Sequence, residues 1–360
     1  WDEALSPVVE KMCDIRDKYG ARAMASHSGR GGFELSMEEL GGTPGAKSSK
    51  LLVPFGSPNV CGVGSICFVA FGQLAPLTTV GVPARLMVPD WDNTRNLVIW
   101  GTNPVTDSPP FVYHKILRAK AQGMKVIVID QMKSDMAAQA DEWIPVRSGT
   151  DGALALGIAR VMINEGLYDK EFTAKWTTGF EEFAAYVEPF TPEKVERITG
   201  VPTETTIKLA RTIATEPTGL RLYTGLEYSN CGVQSIRAVY VLWAIAGQID
   251  APGGLVIDRK QEGWAEVPLL EPLNELPIGA TEYPLFYKYT GCGHFLAFPR
   301  AVLEEKPYPI KGLINNGSSI LTSYPQPALY EAAFRKLEFM AVTDRFLTRD
   351  ALFADVVLPA

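Results

Sequence analysis

"NLVIWGTNPVTDSPPFVYHKILRAKAQGMKVIVID" spans residues 96–130, and its reading decides the fold. "NLVIWG" and "KVIVID" are short apolar runs of the kind that form buried strands. The stretch between them has helical periodicity and stops at Gly123, as a helix with a glycine C-cap does. Strand, turn, helix and strand in this order form a βαβ unit, which requires a parallel sheet. The pattern continues outward: a strand "EWIPV", a helix from Asp151, further helices to Ile213, a strand "GLRLYTG" and a long apolar helix "GVQSIRAVYVLWAIAGQ". The fold class is therefore α/β with mostly parallel strands.

The same plan returns near the end of the chain. "KGLINNG" (311–317) reads as a strand into a turn, "ALYEAAFRKLE" as a helix and "FMAVTD" (339–344) as a strand. Gly101 stands 29 residues before Asp130, and Gly317 stands 27 before Asp344. Such a unit can hold a nucleotide at the carboxyl ends of its strands. The turn admits phosphate close to the backbone, and the acid takes ribose or base hydrogens. Neither copy carries G-x-G-x-x-G, so the pattern does not point to plain NAD binding. An α/β domain with no nucleotide would show similar strands.

Composition narrows the function classes. The 360 residues are 46% apolar and 21% charged, ordinary for a globular enzyme and long enough for two domains. A net charge of −7 with no basic block argues against a nucleic-acid partner. No apolar run is long enough for a direct membrane span. Residues 255–300, irregular and rich in Pro, Gly and aromatics, read as a crossing between domains. The chain opens at Trp1 on a helical pattern and stops at "ADVVLPA", which reads as a piece of a longer polypeptide with any leader outside it.

Five cysteines (Cys13, Cys61, Cys67, Cys231, Cys292) do not make a disulfide framework in a chain of this length. Cys13 reads as core on the first helix, and Cys231 as a small residue in a tight place. Cys292 with His294 forms a lone C-x-H, a weak metal signal. His27 in "SHSGRGG" reads as a loop residue after a strand, facing a site or bonded to backbone. Cys61 and Cys67 lie in "SPNVCGVGSIC" (57–67), whose spacing of six suits neither zinc nor a disulfide. A cysteine near a helix start in a glycine-rich loop is a candidate thiolate for a soft metal. In "GTNP", Gly101, Asn103 and Pro104 suit a tight turn, generic or functional. Asp151 in "RSGTDGALALG" either caps its helix or accepts both N–H groups of a guanine edge. In "GLEYSNCGVQSIRA", Asn230 and Gly232 suit a sharp turn, and Arg237 is a phosphate partner or a surface ion pair.

Taken together and in order, these motifs resemble the molybdopterin oxidoreductases of the dimethyl sulfoxide reductase type. The likeness runs through "WDEAL", "KYG", "GSPNVCGVGSIC", "IWGTNP", "VID", "ADEWIPVRSGTDGALALG", "TGLEYSNCGVQSIRAVYVLWAIAGQIDAPGG", "YPIKGLINNGSS" and "VTDRFLTRDALFADVVLPA". It covers nearly the whole chain. The resemblance implies two Rossmann-like α/β domains, one inserted in the other: 1–92 with 265–360, and 93–264. It implies molybdenum or tungsten held by two molybdopterin guanine dinucleotides, with Cys67 as metal ligand and catalytic residue and Cys61 at a non-ligand position. Gly101, Asn103, Pro104, Asp130, Gly149 and Asp151 match the loops for one dinucleotide. Asn316, Gly317, Asp344 and Thr348 match those for the other. Gly225, Asn230, Gly232 and Arg237 match the loop that reaches pterin and phosphate. The chain departs from many relatives at Val63, Gly64 and Ser65, where His-Ser-Ser is frequent before the ligand. It departs again at "NNGSS" for Gly-Asn-Pro and "EYSN" for Gln-His-x-Asn.

The resemblance also implies the activity: two-electron oxygen- or sulfur-atom transfer on a small molecule. "IGATEYPLFYKYTGCGH" and "EEKPYPIKGL" look closest to the thiosulfate, polysulfide or arsenate reductase branch. A [4Fe-4S] motif is expected before residue 1, a closing C-terminal domain after residue 360, and an iron–sulfur electron-transfer subunit as partner. The compartment is left unassigned between a bacterial or archaeal periplasm and cytoplasm. Two alternatives share the fold: a non-redox hydratase of the acetylene hydratase type, and a cofactor-free structural subunit of a respiratory complex. The second should lack the metal cysteine and the guanine acids, and Cys67, Asp130, Asp151 and Asp344 are all present.

Overall fold

A computed structural model describes residues 1–31, 51–106, 111–258 and 273–360. The chain divides into two compact units: residues 1–69 with 264–360, and residues 70–263. The first crossing falls after Val69, where the sequence suggested 92. The reason is a two-stranded antiparallel ribbon within the inserted unit, formed by Met87–Pro89 and Leu255–Ile257. Asp90 secures the ribbon's end: its carboxylate accepts the Gly253 N–H at 2.9 Å and the Asn93 amide at 2.8 Å. Residues 70–92 therefore belong with the insert.

The described strands, in chain order, are β1 (Met24–Ser28), β2 (Val60–Gly62), β3 (Met87–Pro89), β4 (Asn96–Trp100), β5 (Lys125–Ile129), β6 (Glu142–Ile144), β7 (Thr218–Leu222), β8 (Leu255–Ile257), β9 (Gly312–Asn316), β10 (Phe339–Asp344) and β11 (Val356–Pro359). In the insert, β6-β5-β4-β7 form a parallel sheet. All five residues of β4 are buried, which is why that segment reads as an unbroken apolar run. One face of the sheet packs Leu97, Ile99, Val126 and Val128 against Val112 and Ile116 of the helix Phe111–Ala121. Helices Asp151–Asn164, Thr203–Thr215 and Gly232–Ile245 complete the unit. Trp243 ties the last of them to β7 through its indole N–H on the Thr218 carbonyl at 2.7 Å.

The other unit carries a parallel sheet in the order β11-β10-β9-β1-β2. The first helix, Asp2–Tyr19, buries Val8, Met12 and Ile15 against it. Cys13 is off that stripe and half-buried, so it is not the core residue expected. Cys231, also expected to be tucked away, is exposed, and none of the five cysteines is in a disulfide.

Each sheet reverses its winding once. In the insert β4 is followed by β5 and β6 to one side and β7 to the other. In the outer unit β1 has β2 on one side and β9, β10 and β11 on the other. A crevice at the carboxyl ends of the strands flanking such a reversal is where open α/β sheets take ligands. Those flanking strands are β4 and β7 in one unit, β9 and β1 in the other.

The internal repeat is real at the level of single hydrogen bonds. Gly101 after β4 has φ 64°, and Gly317 after β9 has φ 54°. The Gly101 N–H reaches the Ile129 carbonyl at the end of β5 (3.0 Å), and the Gly317 N–H reaches the Thr343 carbonyl at the end of β10 (2.8 Å). Asp130 accepts the Met132 N–H at 2.9 Å, and Asp344 accepts the Phe346 N–H at 3.0 Å. Both acids close an Asx turn at the carboxyl end of their strand.

Candidate cofactor and metal site

In the insert, the crevice is made by two glycines. The Gly225 N–H donates to the Gly101 carbonyl at 3.1 Å, and a Cβ on Gly225 would sit 2.2 Å from that oxygen. Beside it, Asn103 pins the turn: its Oδ1 accepts the Met136 N–H at 3.2 Å and its amide donates to Thr106 Oγ1 at 3.0 Å. Pro104 is buried next to it.

Two acids gather at the same edge. Asp151 opens the helix Asp151–Asn164 and accepts the Trp100 indole N–H at 2.8 Å. Burial raises its pKa above the ordinary carboxylate range, with the nearby Asp130 charge acting in the same direction, while the Trp100 bond and its own N–H oppose. Thr150, the residue before the helix, does not cap it with its side chain: its hydroxyl donates to the Arg147 carbonyl at 2.6 Å. Gly149 (φ 75°) lies on the loop before this helix, within van der Waals range of Ser229 on the facing loop. On that facing loop Asn230 is exposed, and Gly232 is pressed against the Glu227 carbonyl. Arg237 donates from Nη1 to Gln234 at 3.0 Å, while its buried Nε has no hydrogen-bond partner among the described residues.

The outer unit repeats the close approach. The Gly29 N–H donates to the Asn316 carbonyl at 2.9 Å, and a Cβ on Gly29 would meet the Gly317 carbonyl oxygen at 2.4 Å. Ser28 and Asn316 stand side by side in the β1–β9 register and so share a face. Both are buried, and Ser28 Oγ and Asn316 Nδ2 have no hydrogen-bond partner among the described residues. Two orphaned polar atoms beside a glycine cradle at a winding reversal are what a ligand with acceptor oxygens satisfies. Asp344 lies at the end of β10, and Thr348 accepts the Ala351 N–H at 3.4 Å. Asp350 was not singled out from sequence. It is fully buried and accepts from Ile320 N (2.5 Å), Leu321 N (3.0 Å) and Asn315 Nδ2 (3.3 Å), so it braces the loop after β9.

The two cysteines of "SPNVCGVGSIC" part company. Cys61 lies in β2, fully buried, with its sulfur against the space a Gly293 Cβ would take. Burial raises its pKa well above the usual thiol range. Cys67 follows a tight turn at Val63–Ser65 and is half-buried. Phe68, next to it, has φ 67°, a left-handed conformation rare for an aromatic residue, which turns the chain sharply after the thiol. The turn is held from behind: Ser65 Oγ accepts the Phe295 N–H at 2.8 Å.

The other metal signal dissolves. His294 is stacked on Tyr283 with ring centroids 3.7 Å apart, while Cys292 Sγ faces the Thr290 carbonyl. His27 is inside β1, not in a loop, and bonds side chains rather than backbone. Among the described residues no three His, Cys, Asp or Glu converge on one point, and no helix is long and apolar enough to cross a membrane. Sequence reading missed Ser28 and Gly29, although the "SGRGG" run after β1 was a glycine-rich loop in the right place. Trp100 as the holder of Asp151 carried no local signal.

Comparison with known proteins gives one family. The model described as "Molybdopterin oxidoreductase" matches residues 1–360. A probable oxidoreductase, YoaE of Bacillus subtilis, is 31% identical, with 100% of this chain aligned to 50% of that protein. Formate dehydrogenase H of Escherichia coli is 30% identical over 100% of this chain and 51% of its own length. Among solved structures, acetylene hydratase from Pelobacter acetylenicus matches with a TM-score of 0.78 and 26% identity, over 100% of this chain and 52% of that one. The chain spans about half the length of the relatives it matches.

Proposed function

Because this chain belongs to the molybdopterin oxidoreductase family, we propose that it is the central part of a catalytic subunit that binds molybdenum or tungsten through two molybdopterin guanine dinucleotides, with Cys67 as the protein ligand. The observation that carries this reading is the twofold repeat of a glycine cradle and an Asx-turn acid, once in each unit. The residues present suit the group. Gly101 with Gly225 and Gly29 with Gly317 bring two loop backbones together at the carboxyl ends of the strands that flank each reversal. Ser28 Oγ, Asn316 Nδ2 and Arg237 Nε are buried polar atoms with no partner among the described residues, suited to a polar ligand. Asp130 with Asp151, and Asp344, are acceptors suited to guanine N–H groups. A guanine edge that donates to Asp151 favours its carboxylate, offsetting the burial that raises its pKa. Cys67 offers a soft sulfur at the end of a braced turn.

When bound, the cofactor supplies a two-electron change at the metal and the transfer of an oxygen or sulfur atom to or from a small substrate. The chain's part is to hold and orient it. A [4Fe-4S] cluster and an iron–sulfur partner subunit are the matching electron route.

A second reading is hydration without redox change, supported by the likeness to the acetylene hydratase structure. An anaerobic assay separates the two. The oxidoreductase reading expects oxidation of a reduced viologen dye on adding thiosulfate, polysulfide or arsenate, or dye reduction by formate. Acetaldehyde formed from acetylene, with no dye turnover on any of these substrates, would place the protein with the hydratases.

A further inference from the structure

A buried row of side chains runs behind the turn that leads to Cys67, and the hydrogens in it can be assigned one by one. Asn315 Nδ2 donates to the Ser318 carbonyl at 2.9 Å and faces the Asp350 carboxylate at 3.3 Å. Both partners only accept, which fixes the orientation of the amide. Asn315 Oδ1 therefore faces His27 Nδ1, 3.2 Å away, and can only accept from it. The hydrogen of His27 sits on Nδ1. The ring is fully buried, and burial lowers its pKa to about 3 against the pull of Asn315, so it is neutral near pH 7. Its Nε2 is then a bare lone pair, and the Tyr324 hydroxyl at 2.9 Å donates to it. Tyr324 has one hydrogen. The same hydroxyl faces a second acceptor, the Gly62 carbonyl at 3.2 Å, to which the Ser65 hydroxyl also donates at 3.2 Å. Ser65 is two residues before Cys67. The ring of Phe295, 4.3 Å from His27 between centroids, closes the row on its apolar side.

We propose that Tyr324 and His27 are positioning residues for Cys67, joined in a chain Tyr324→His27→Asn315→Asp350 that, through the Tyr324 hydroxyl on the Gly62 carbonyl, couples the Gly62–Ser65 turn to the loop Asn316–Ser318. From Tyr324 to Asp350 every link donates in the same direction, and the Tyr324 hydrogen is shared between His27 Nε2 and the Gly62 carbonyl, which ties the row to the turn. It ties the proposed metal ligand to one proposed dinucleotide loop without passing through the cofactor. Neither residue is a candidate to touch substrate. The inference rests on the reading of Cys67 as metal ligand and on the geometry above.

Two measurements on the metal-loaded protein test it. The first uses 15N-histidine labelling, with three histidines in the chain and His27→Gln to assign the signal. The chain expects the hydrogen on Nδ1 of His27, and a hydrogen on Nε2 overturns the assignment and the proposal with it. The second is Tyr324→Phe, which keeps the ring and removes the donor. It should shift the electron paramagnetic resonance signal of the metal and lower kcat by about 10- to 100-fold, as loss of a group that orients a metal ligand does, with KM nearly unchanged. Cys67→Ser is the reference. A signal that changes in Cys67→Ser but not in Tyr324→Phe overturns the coupling alone, and a signal unchanged in both overturns the Cys67 reading beneath it.

Discussion

Cys67→Ser should leave a folded protein whose turnover falls by about 1,000-fold or more, beyond the loss expected when only a group orienting the ligand is removed. Cys67 is half-buried and belongs to neither sheet core, so its sulfur contributes little to packing. A serine hydroxyl is a harder, less donating group than a thiolate and is a poor substitute on a soft metal. The control is Cys61→Ser, six residues earlier. That sulfur is fully buried beside Gly293, so a hydroxyl there should cost about 1–3 kcal/mol of stability. It should leave the metal's spectrum unchanged. Chemical denaturation of both variants, beside their spectra and rates, checks the pair. The reverse pattern, with Cys61 controlling the metal and Cys67 the stability, would exchange their roles.

Gly225→Ala and Gly29→Ala carry the second large effect. At both positions the added methyl meets a backbone carbonyl oxygen, at 2.2 Å from Gly101 and 2.4 Å from Gly317. These backbones are tied to the sheet ends by the Gly101 N–H on Ile129 and the Gly317 N–H on Thr343, and cannot move aside as a side chain tip can. Each substitution should destabilise by about 3 kcal/mol or more, the upper end for overpacking, and lower the melting midpoint by roughly 6–12 °C. Gly166→Ala is the contrast: φ is 66° there, but the space around a Cβ is open. Its cost is confined to the left-handed backbone, about 1–2 kcal/mol. Calorimetry on the three variants separates crowding from backbone strain. If Gly225→Ala melts no lower than Gly166→Ala, the close approach at β4 and β7 is not a constraint on the fold.

The parts of this molecule that could be read from sequence are those built on local periodicity. β4, β5, β9 and β10 are continuous apolar runs because both their faces are covered. Gly101 with Asp130 and Gly317 with Asp344 stand at the ends of such runs, so the repeat showed in the spacing. What could not be read depends on strand order. Gly29 meets Gly317, and Gly225 meets Gly101, only because β1 lies beside β9 and β7 beside β4, partners far away in the chain. Ser28 and Asn316 become orphans for the same reason. His27 looked like a loop residue because a histidine between two serines carries no strand signal, and only Asn315 and Tyr324 from distant segments make its burial tolerable. The boundary after Val69 escaped because the β3–β8 ribbon pairs segments near the two ends of the insert, far apart in the chain.

The central claim, two guanine dinucleotides on one metal, is tested most directly by composition. Protein purified without air should yield one molybdenum or tungsten per chain by mass spectrometry and, after acid release, two GMP per metal. Protein active in the dye assay that contains neither metal, or releases no GMP, would contradict the account.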